Sequence, residues 1–365
     1  MAMNKAMTGI RYPWDTAPDH GVATEIAEGV LWLRLPLPMA LDHVNVYALD
    51  DGDGWTVIDT GFDSRKSRGI WDSILAGPLA GKPVTRVICT HHHPDHMGLA
   101  GWFQEAGAEL AMPRTGWLMA RMLQLDEQPA YPARSITFYQ RAGMDPAVLE
   151  ARRAERPFNF ADCTHPLPLG FTRLQEGQVI RIGGRDWDIR MGNGHAPEQA
   201  TLWSRDDDLV LSGDQLLPSI SPNIGVYPTE PEADPLAEWL DSCARFQDHA
   251  ETSHLVLGGH KLPFIGLPLR LTQLIDNHHG ALARLMGHLS EPRRAGDCFL
   301  PIFKREISGS QYGLALVEAL AHLNNLYQTG RVTRELREDG AWWFQARRGH
   351  TGTRGGSVQP AVNPV

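Results

Sequence analysis

The chain has 365 residues, 42% hydrophobic and 21% charged, the balance of a globular protein with room for one large domain and a smaller one. Its net charge of −9 is uneven: residues 1–265 carry 22 Lys and Arg against 35 Asp and Glu, and residues 266–365 carry 12 against 8, so the acidic body disfavours a broad phosphate-tracking surface. No run approaches the ~18 apolar residues of a membrane span, and the N-terminal MAMNKAMTGIRYPWDT lacks the apolar stretch of a signal peptide, so no membrane partner is expected.

In chain order, VLWLRLPL (30–37) and VNVYALD (44–50) read as strands, and WTVIDTG (55–61) as a strand ending in a turn. A helical stretch follows at about 63–76, then the strand TRVICT (85–90). After a histidine cluster, LAGWFQEAG (99–107) has helical spacing. The interval 113–165 reads as two or three helices broken by Pro129, Pro132, Pro146 and Pro157. Its Trp117, Met119, Met122, Leu123, Leu125, Tyr131, Phe138 and Tyr139 give more apolar surface than a loop needs. A helical insertion is expected there, covering a sheet edge and serving as a lid or substrate wall.

Further strands are expected at QVIRIG (178–183), DWDIRM (186–191), ATLWS (200–204), LVLSG (209–213) and SHLVLGG (253–259), with a helix near 234–247. From about 267 the pattern becomes helix, helix, long helix and hairpin. Leu316, Leu320, Leu323 and Tyr327 share one helical face, and two short strands within 332–346 turn at Asp339-Gly340. The expected organisation is therefore a main domain over 1–266, a small winged-helix-like domain over 267–348, and a disordered tail over 349–365. The class is mixed α+β. Cys89, Cys163, Cys243 and Cys298 show no metal-binding spacing and suit reduced thiols, so a cytoplasmic location is expected. Nothing in the sequence fixes the oligomeric state, and a homodimer stays open.

The chemistry concentrates in THHHPDHMG (90–98), where His91, His93, Asp95 and His96 lie between a strand and a helix. A strand end can aim His91 and His93 to one side while Asp95 and His96 open the helix toward a neighbouring point. Neutral imidazole suits zinc, and a carboxylate adds a hard oxygen and negative charge. GHAPEQATL (194–202) then puts His195 in a glycine-flanked turn. LVLSGDQLL (209–217) and HLVLGGHKLPF (254–264) place Asp214 and His260 just after strands. Singly, each of these has an ordinary structural explanation; together they do not.

The order VIDTG, HxHxDH, GH, GD, GH resembles the five motifs of the metallo-β-lactamase superfamily, over residues 28–266. The resemblance implies an αββα sandwich and a binuclear zinc-dependent hydrolase, with iron or manganese also able to fill the site. It implies that His91, His93 and His195 bind one metal, that Asp95, His96 and His260 bind the second, and that Asp214 bridges them. It makes Asp59 a buttress beneath the ligands and Asp95 the carboxylate that orients the nucleophile, a metal-bound hydroxide. Two departures stand out: Gln199 occupies a position where many thioesterase-like relatives carry a second histidine, and Lys261 follows His260 where glycine is common. Neither removes a ligand. The branch with a C-terminal helical module includes hydroxyacylglutathione-hydrolase-like enzymes and endoribonucleases. A small acyl substrate is the first expectation, as a thioester of CoA or glutathione type, an ester or a lactone. Single-strand RNA is the alternative, and the acidic body disfavours it.

Overall fold

The structure, a computed structural model, describes residues 9–347. The expected tail over 349–365 lies outside them. Seven strands form the first sheet in chain order: β1 (Thr24–Ala27), β2 (Val30–Pro36), β3 (His43–Asp50), β4 (Trp55–Ile58), β5 (Val84–Ile88), β6 (Glu109–Pro113) and β7 (Thr172–Leu174). Pairing is antiparallel through β4 and parallel from β4 to β7. The second sheet holds β8 (Val179–Ile182), β9 (Arg185–Gly192), β10 (Gln199–Ser204), β11 (Leu209–Gly213), β12 (Leu255–Gly258) and β13 (Phe264–Ile265), in that order across it.

The near-continuous apolar runs of β2 and β3 follow from burial on both faces. Val30 and Trp32 of β2 point between the sheets, where they meet Trp187, Ile189 and Leu211 of the second sheet. Leu33 and Leu35 point the other way, onto α1 (Arg65–Ala76) and α3 (Ala100–Glu105), which contribute Trp71, Ile74 and Phe103. Between these helices in sequence lies α2 (Pro94–Met97), and α4 (Arg114–Leu125) adds Ala120 to the same layer. Ser64 caps α1 by accepting from the Ser67 N–H at 3.0 Å.

The second sheet's outer face is covered by α7 (Pro235–Gln247), α8 (Leu267–His288) and α10 (Tyr312–Gln328). Trp203, Val210 and Val256 of the sheet form one apolar cluster with Trp239, Leu271, Leu274, Leu316 and Leu320 of these helices. Each such leucine, fully removed from water, stabilises the fold by about 1.5–3 kcal/mol. This makes the αββα order complete. The short helix α9 (Phe299–Phe303) and the hairpin of β14 (Val332–Leu336) with β15 (Trp342–Ala346) finish the C-terminal module, and Phe344 joins that cluster.

Helices α5 (Ala133–Arg141) and α6 (Pro146–Ala154) complete the 113–165 interval. They do not stay beside α4. Ile136, Phe138, Met144 and Leu149 pack into the cluster shared by the second sheet and α10. The Tyr312 hydroxyl accepts from the Asp145 N–H at 2.8 Å, and Gln140 Nε2 donates to the Asp339 carbonyl at 3.1 Å. The insertion thus joins the two outer layers and grips the C-terminal module. None of the described helices is long and apolar enough to cross a membrane.

Candidate metal centre

Strand ends on one edge of the sandwich supply every residue singled out by the motifs. Asp59 follows β4, His91 follows β5, Asp214 follows β11, His260 follows β12, and His195 sits in the turn between β9 and β10. Pro94 opens α2 with its backbone already set for a helix, so Asp95 and His96 fall on the first turn. The two sheets are stitched at this edge: the Ala200 N–H donates to the Thr90 carbonyl at 2.9 Å and the Asn45 N–H to the Gly259 carbonyl at 2.7 Å.

The donor atoms converge in three overlapping groups: His91, His93 and His195; His91, His96 and Asp214; Asp95, His96 and His260. His91 Nε2 lies 2.9 Å from His93 Nδ1, which lies 3.1 Å from His195 Nε2. Asp214 Oδ1 is 3.4 Å from His96 Nε2, while its Oδ2 is 3.5 Å from His195 Nε2 and 3.2 Å from His260 Nε2. Asp95 Oδ2 is 3.6 Å from His96 Nε2 and 3.4 Å from His260 Nε2. Asp214 therefore stands between the two sets.

The far nitrogens settle the tautomers. Thr90 donates its backbone N–H and its hydroxyl to Asp59, at 2.8 and 2.9 Å. With its one hydroxyl proton committed, Thr90 Oγ1 accepts from His91 Nδ1 at 3.0 Å. His96 Nδ1 donates to Asp59 at 2.8 Å, His195 Nδ1 to the Asn223 carbonyl at 2.8 Å and His260 Nδ1 to the His43 carbonyl at 2.7 Å. Each of these four rings then presents a bare Nε2 lone pair inward. Lone pairs packed this closely repel unless a cation sits among them. His96 Nε2 and Asp214 Oδ1 are buried without a hydrogen-bond partner. The residues fit divalent metal cations.

The charges lean the same way. Burial, with His96, His93 and His195 adding to it, holds His91 well below the usual histidine range, so it is neutral. Burial, then His92 and His195, does the same to His93. For His96, burial lowers the pKa, but Asp214, Asp95 and Asp59 together outweigh it and raise it well above normal. His260 is likewise lifted to about 10, against burial, by Asp214 and Asp95. These carboxylates create a potential that demands positive charge, and cations in place of those protons meet the demand.

Backbone shape makes the convergence possible. Asp59 holds a left-handed φ of +60°, as do Glu198 and Lys261 near the site at +53° and +68°. Non-glycine residues rarely adopt this region, and such strain concentrates at functional sites. A Cβ on Gly259 would fall 2.4 Å from Asp214 Oδ1, so only glycine lets that carboxylate in.

Known proteins share this fold. The family described as the metallo-beta-lactamase superfamily matches residues 39–260. The chain belongs to the metallo-beta-lactamase superfamily. A second family, the metallo-beta-lactamase-like C-terminal domain, matches residues 282–347. The superfamily chain is 24% identical over 323 residues to the probable metallo-hydrolase YqjP of Bacillus subtilis (strain 168), covering 84% of this chain and 94% of that one. The crystal structure of a beta-lactamase domain protein from Burkholderia ambifaria superposes with a TM-score of 0.86 at 36% identity, over 93% of this chain and 98% of that one. A metallo-beta-lactamase family protein of Thermus thermophilus gives 0.74 at 26%, over 88% and 100%. The metallo-beta-lactamase fold and a metallo-hydrolase assignment follow from these matches.

Within this metallo-beta-lactamase site, sequence reasoning named Asp59 but missed the other supports. Asn223 orients His195 through its carbonyl, and its side-chain Nδ2 donates to Glu318 Oε2 of α10 at 2.8 Å. Thr90 and His43 act in the same indirect way. His92, outside the donor groups, stacks its buried ring on Phe160 of the insertion at 6.2 Å and 7°. Gln199 is buried, donates to the Ser212 carbonyl at 3.1 Å, and braces the strand that leads to Asp214.

Proposed function

We propose that this metallo-hydrolase holds two divalent cations, zinc first among them, and hydrolyses a small acyl compound: a thioester, an ester or a lactone. The observation that carries the reading is the inward set of bare imidazole lone pairs with Asp95 and Asp214 among them. His91, His93 and His195 would hold one cation, Asp95, His96 and His260 the other, and Asp214 would contact both. When bound, such a pair polarises an acyl oxygen and lowers the pKa of water to near neutrality.

The chain's own residues do the remaining work. Asp95 is the most open of the clustered carboxylates, with 16% of its side chain exposed against 8% for Asp214. It is placed to orient a nucleophile and to take its proton. Phe160, stacked on His92, brings the insertion to the mouth and supports its role as an apolar wall for an acyl group.

Charge pairing supports the acyl reading over RNA. Arg156 is engaged by Asp162 and Glu127, Arg294 by Asp297, and Arg334 by Glu232. These arginines are spent on carboxylates and form no open cationic stripe for phosphates. The four cysteines are buried and unpaired, in keeping with a reducing, cytoplasmic setting. Metal-reconstituted protein assayed against thioesters, esters, lactones and short RNA tests the proposal. Turnover of an acyl compound with close to two metals per chain is the expected result; cleavage of RNA alone would overturn it.

A further inference from the structure

Beside His260, on the same sandwich edge as the metal centre, lies a cavity of about 330 Å³ lined by Tyr12, Arg34, Asp42, His43 and Lys261 among others. We propose that this cavity seats a carboxylate carried by the acyl chain of the substrate, gripped by Lys261 and Arg34. The inference rests on the acyl-hydrolase reading and adds what the acyl group must look like.

Three independent observations carry it. The first is conformational. The chain must turn sharply after His260: the Lys261 N–H donates to His43 Nε2 at 2.9 Å, and the Lys261 carbonyl accepts from Asn45 Nδ2 at 2.8 Å. Those bonds hold Lys261 at φ +68°, where glycine would sit without strain. A lysine kept there needs a use for its side chain, since its backbone bonds would be made equally well by glycine.

The second is charge. Among the described residues, the ion pairs around the cavity are Arg34 with Asp42 at 4.0 Å and His43 with Asp42 at 2.7 Å; none includes Lys261. Arg34 projects from β2 toward the face between the sheets, opposite Asn45, with its Nε buried and unpartnered. Asp42 is a weak partner for it, with 82% of its side chain in water. His43 is neutral on geometric grounds, because Nε2 accepts from the Lys261 N–H and Nδ1 is left to donate to Asp42. Two cations against one exposed carboxylate leave a single net positive charge, which matches a carboxylate better than a doubly charged phosphate.

The third is place and size. The His43 ring meets the His260 ring edge-on at 5.9 Å, so the cavity abuts the second group of donors. Its volume lies at the small end of ligand pockets and suits a short acid rather than a nucleotide.

Valeryl and glutaryl thioesters of one thiol differ only in a terminal carboxylate and test the idea on the metal-loaded protein. Wild type should favour the glutaryl compound at least tenfold in kcat/KM, mainly through KM. Lys261→Gly and Arg34→Gln should each cut that preference about tenfold, and Lys261→Gly should also raise Tm, which the loss of a merely structural lysine would not do. Glutarate binding followed by calorimetry should weaken about tenfold in both variants. Equal kcat/KM for the two thioesters in wild type, or a preference and a glutarate affinity unchanged in both variants, would overturn the carboxylate site. Turnover of neither thioester, with glutarate still bound more weakly by the variants, would remove the acyl-hydrolase reading and leave the anion pocket standing.

Discussion

Asp59 spends both carboxylate oxygens on Thr90 and His96, and through them fixes the protons on two rings of the cluster. Asparagine tolerates its left-handed backbone but would aim an N–H at the His96 or Thr90 side, pushing the His96 proton to Nε2 and into the site. Asp59→Asn should therefore weaken metal binding about 10–100-fold with the fold intact, read by titration with a competing chelator. Unchanged affinity would show that Asp59 does not set the tautomer. Asp214→Asn removes a charge from between the donor groups, so occupancy measured by elemental analysis should fall below two per chain and kcat by orders of magnitude. Glu318 offers a pH test. Burial raises its carboxyl from 4.5 to about 8, with the Asn223 hydrogen bond opposing only part of the shift. The folded chain keeps this proton after the unfolded chain has released it. The resulting stability is full below about pH 4.5 and is lost as pH climbs to about 8. Glu318→Gln keeps a neutral side chain throughout, so its Tm relative to wild type should rise across that window and level off above it; a difference constant with pH would refute this. The donors were readable because His91, His93, Asp95 and His96 form one dense motif after a strand, while His195, Asp214 and His260 each sit by a strand end beside a glycine. Thr90, Asn223 and His43 were not, because they act through a hydroxyl relay or a backbone carbonyl, and Glu318 arrives from a helix 95 residues beyond Asn223.

Most elements were legible wherever both faces of a strand are apolar or a helix shows a clear stripe. α1, α7 and the strands from β2 to β5 fall within a few residues of their expected bounds. β1, β6, β7 and β13 escaped notice. They run two to five residues, too short for alternation to register, and pairing with neighbouring strands defines them. The insertion was visible as helices, but its division between two layers was not, since a sequence does not say which cluster a leucine joins. Gly296 marks where α5–α6 and the C-terminal module touch: a Cβ there would lie 2.3 Å from the Gly143 carbonyl oxygen. That oxygen belongs to backbone and cannot swing aside. Gly296→Ala should cost about 1–3 kcal/mol and lower Tm by several degrees. Gly287→Ala, in α8 with nothing within 4 Å of the added methyl, should instead hold or raise Tm, by up to about 1 kcal/mol of helix propensity. Equal effects of the two would disprove the contact.

Across the whole molecule, one apolar cluster runs from the second sheet through α7, α8 and α10 to the insertion and Phe344. The C-terminal module is therefore a layer of the same body, and calorimetry should show it melting with the rest in one transition; a separate low-temperature step for the module would contradict this. The donors, too, are spread across the body, from the 91–96 turn on the first sheet to His195, Asp214 and His260 on the second. During synthesis the first sheet's donors emerge well before the last one: His96 precedes His260 by 164 residues (260 − 96). A product that stops short of His260 thus carries most of the imidazoles but not the whole cluster. The cluster is therefore complete only once both sheets are in place, and its assembly reports on the fold.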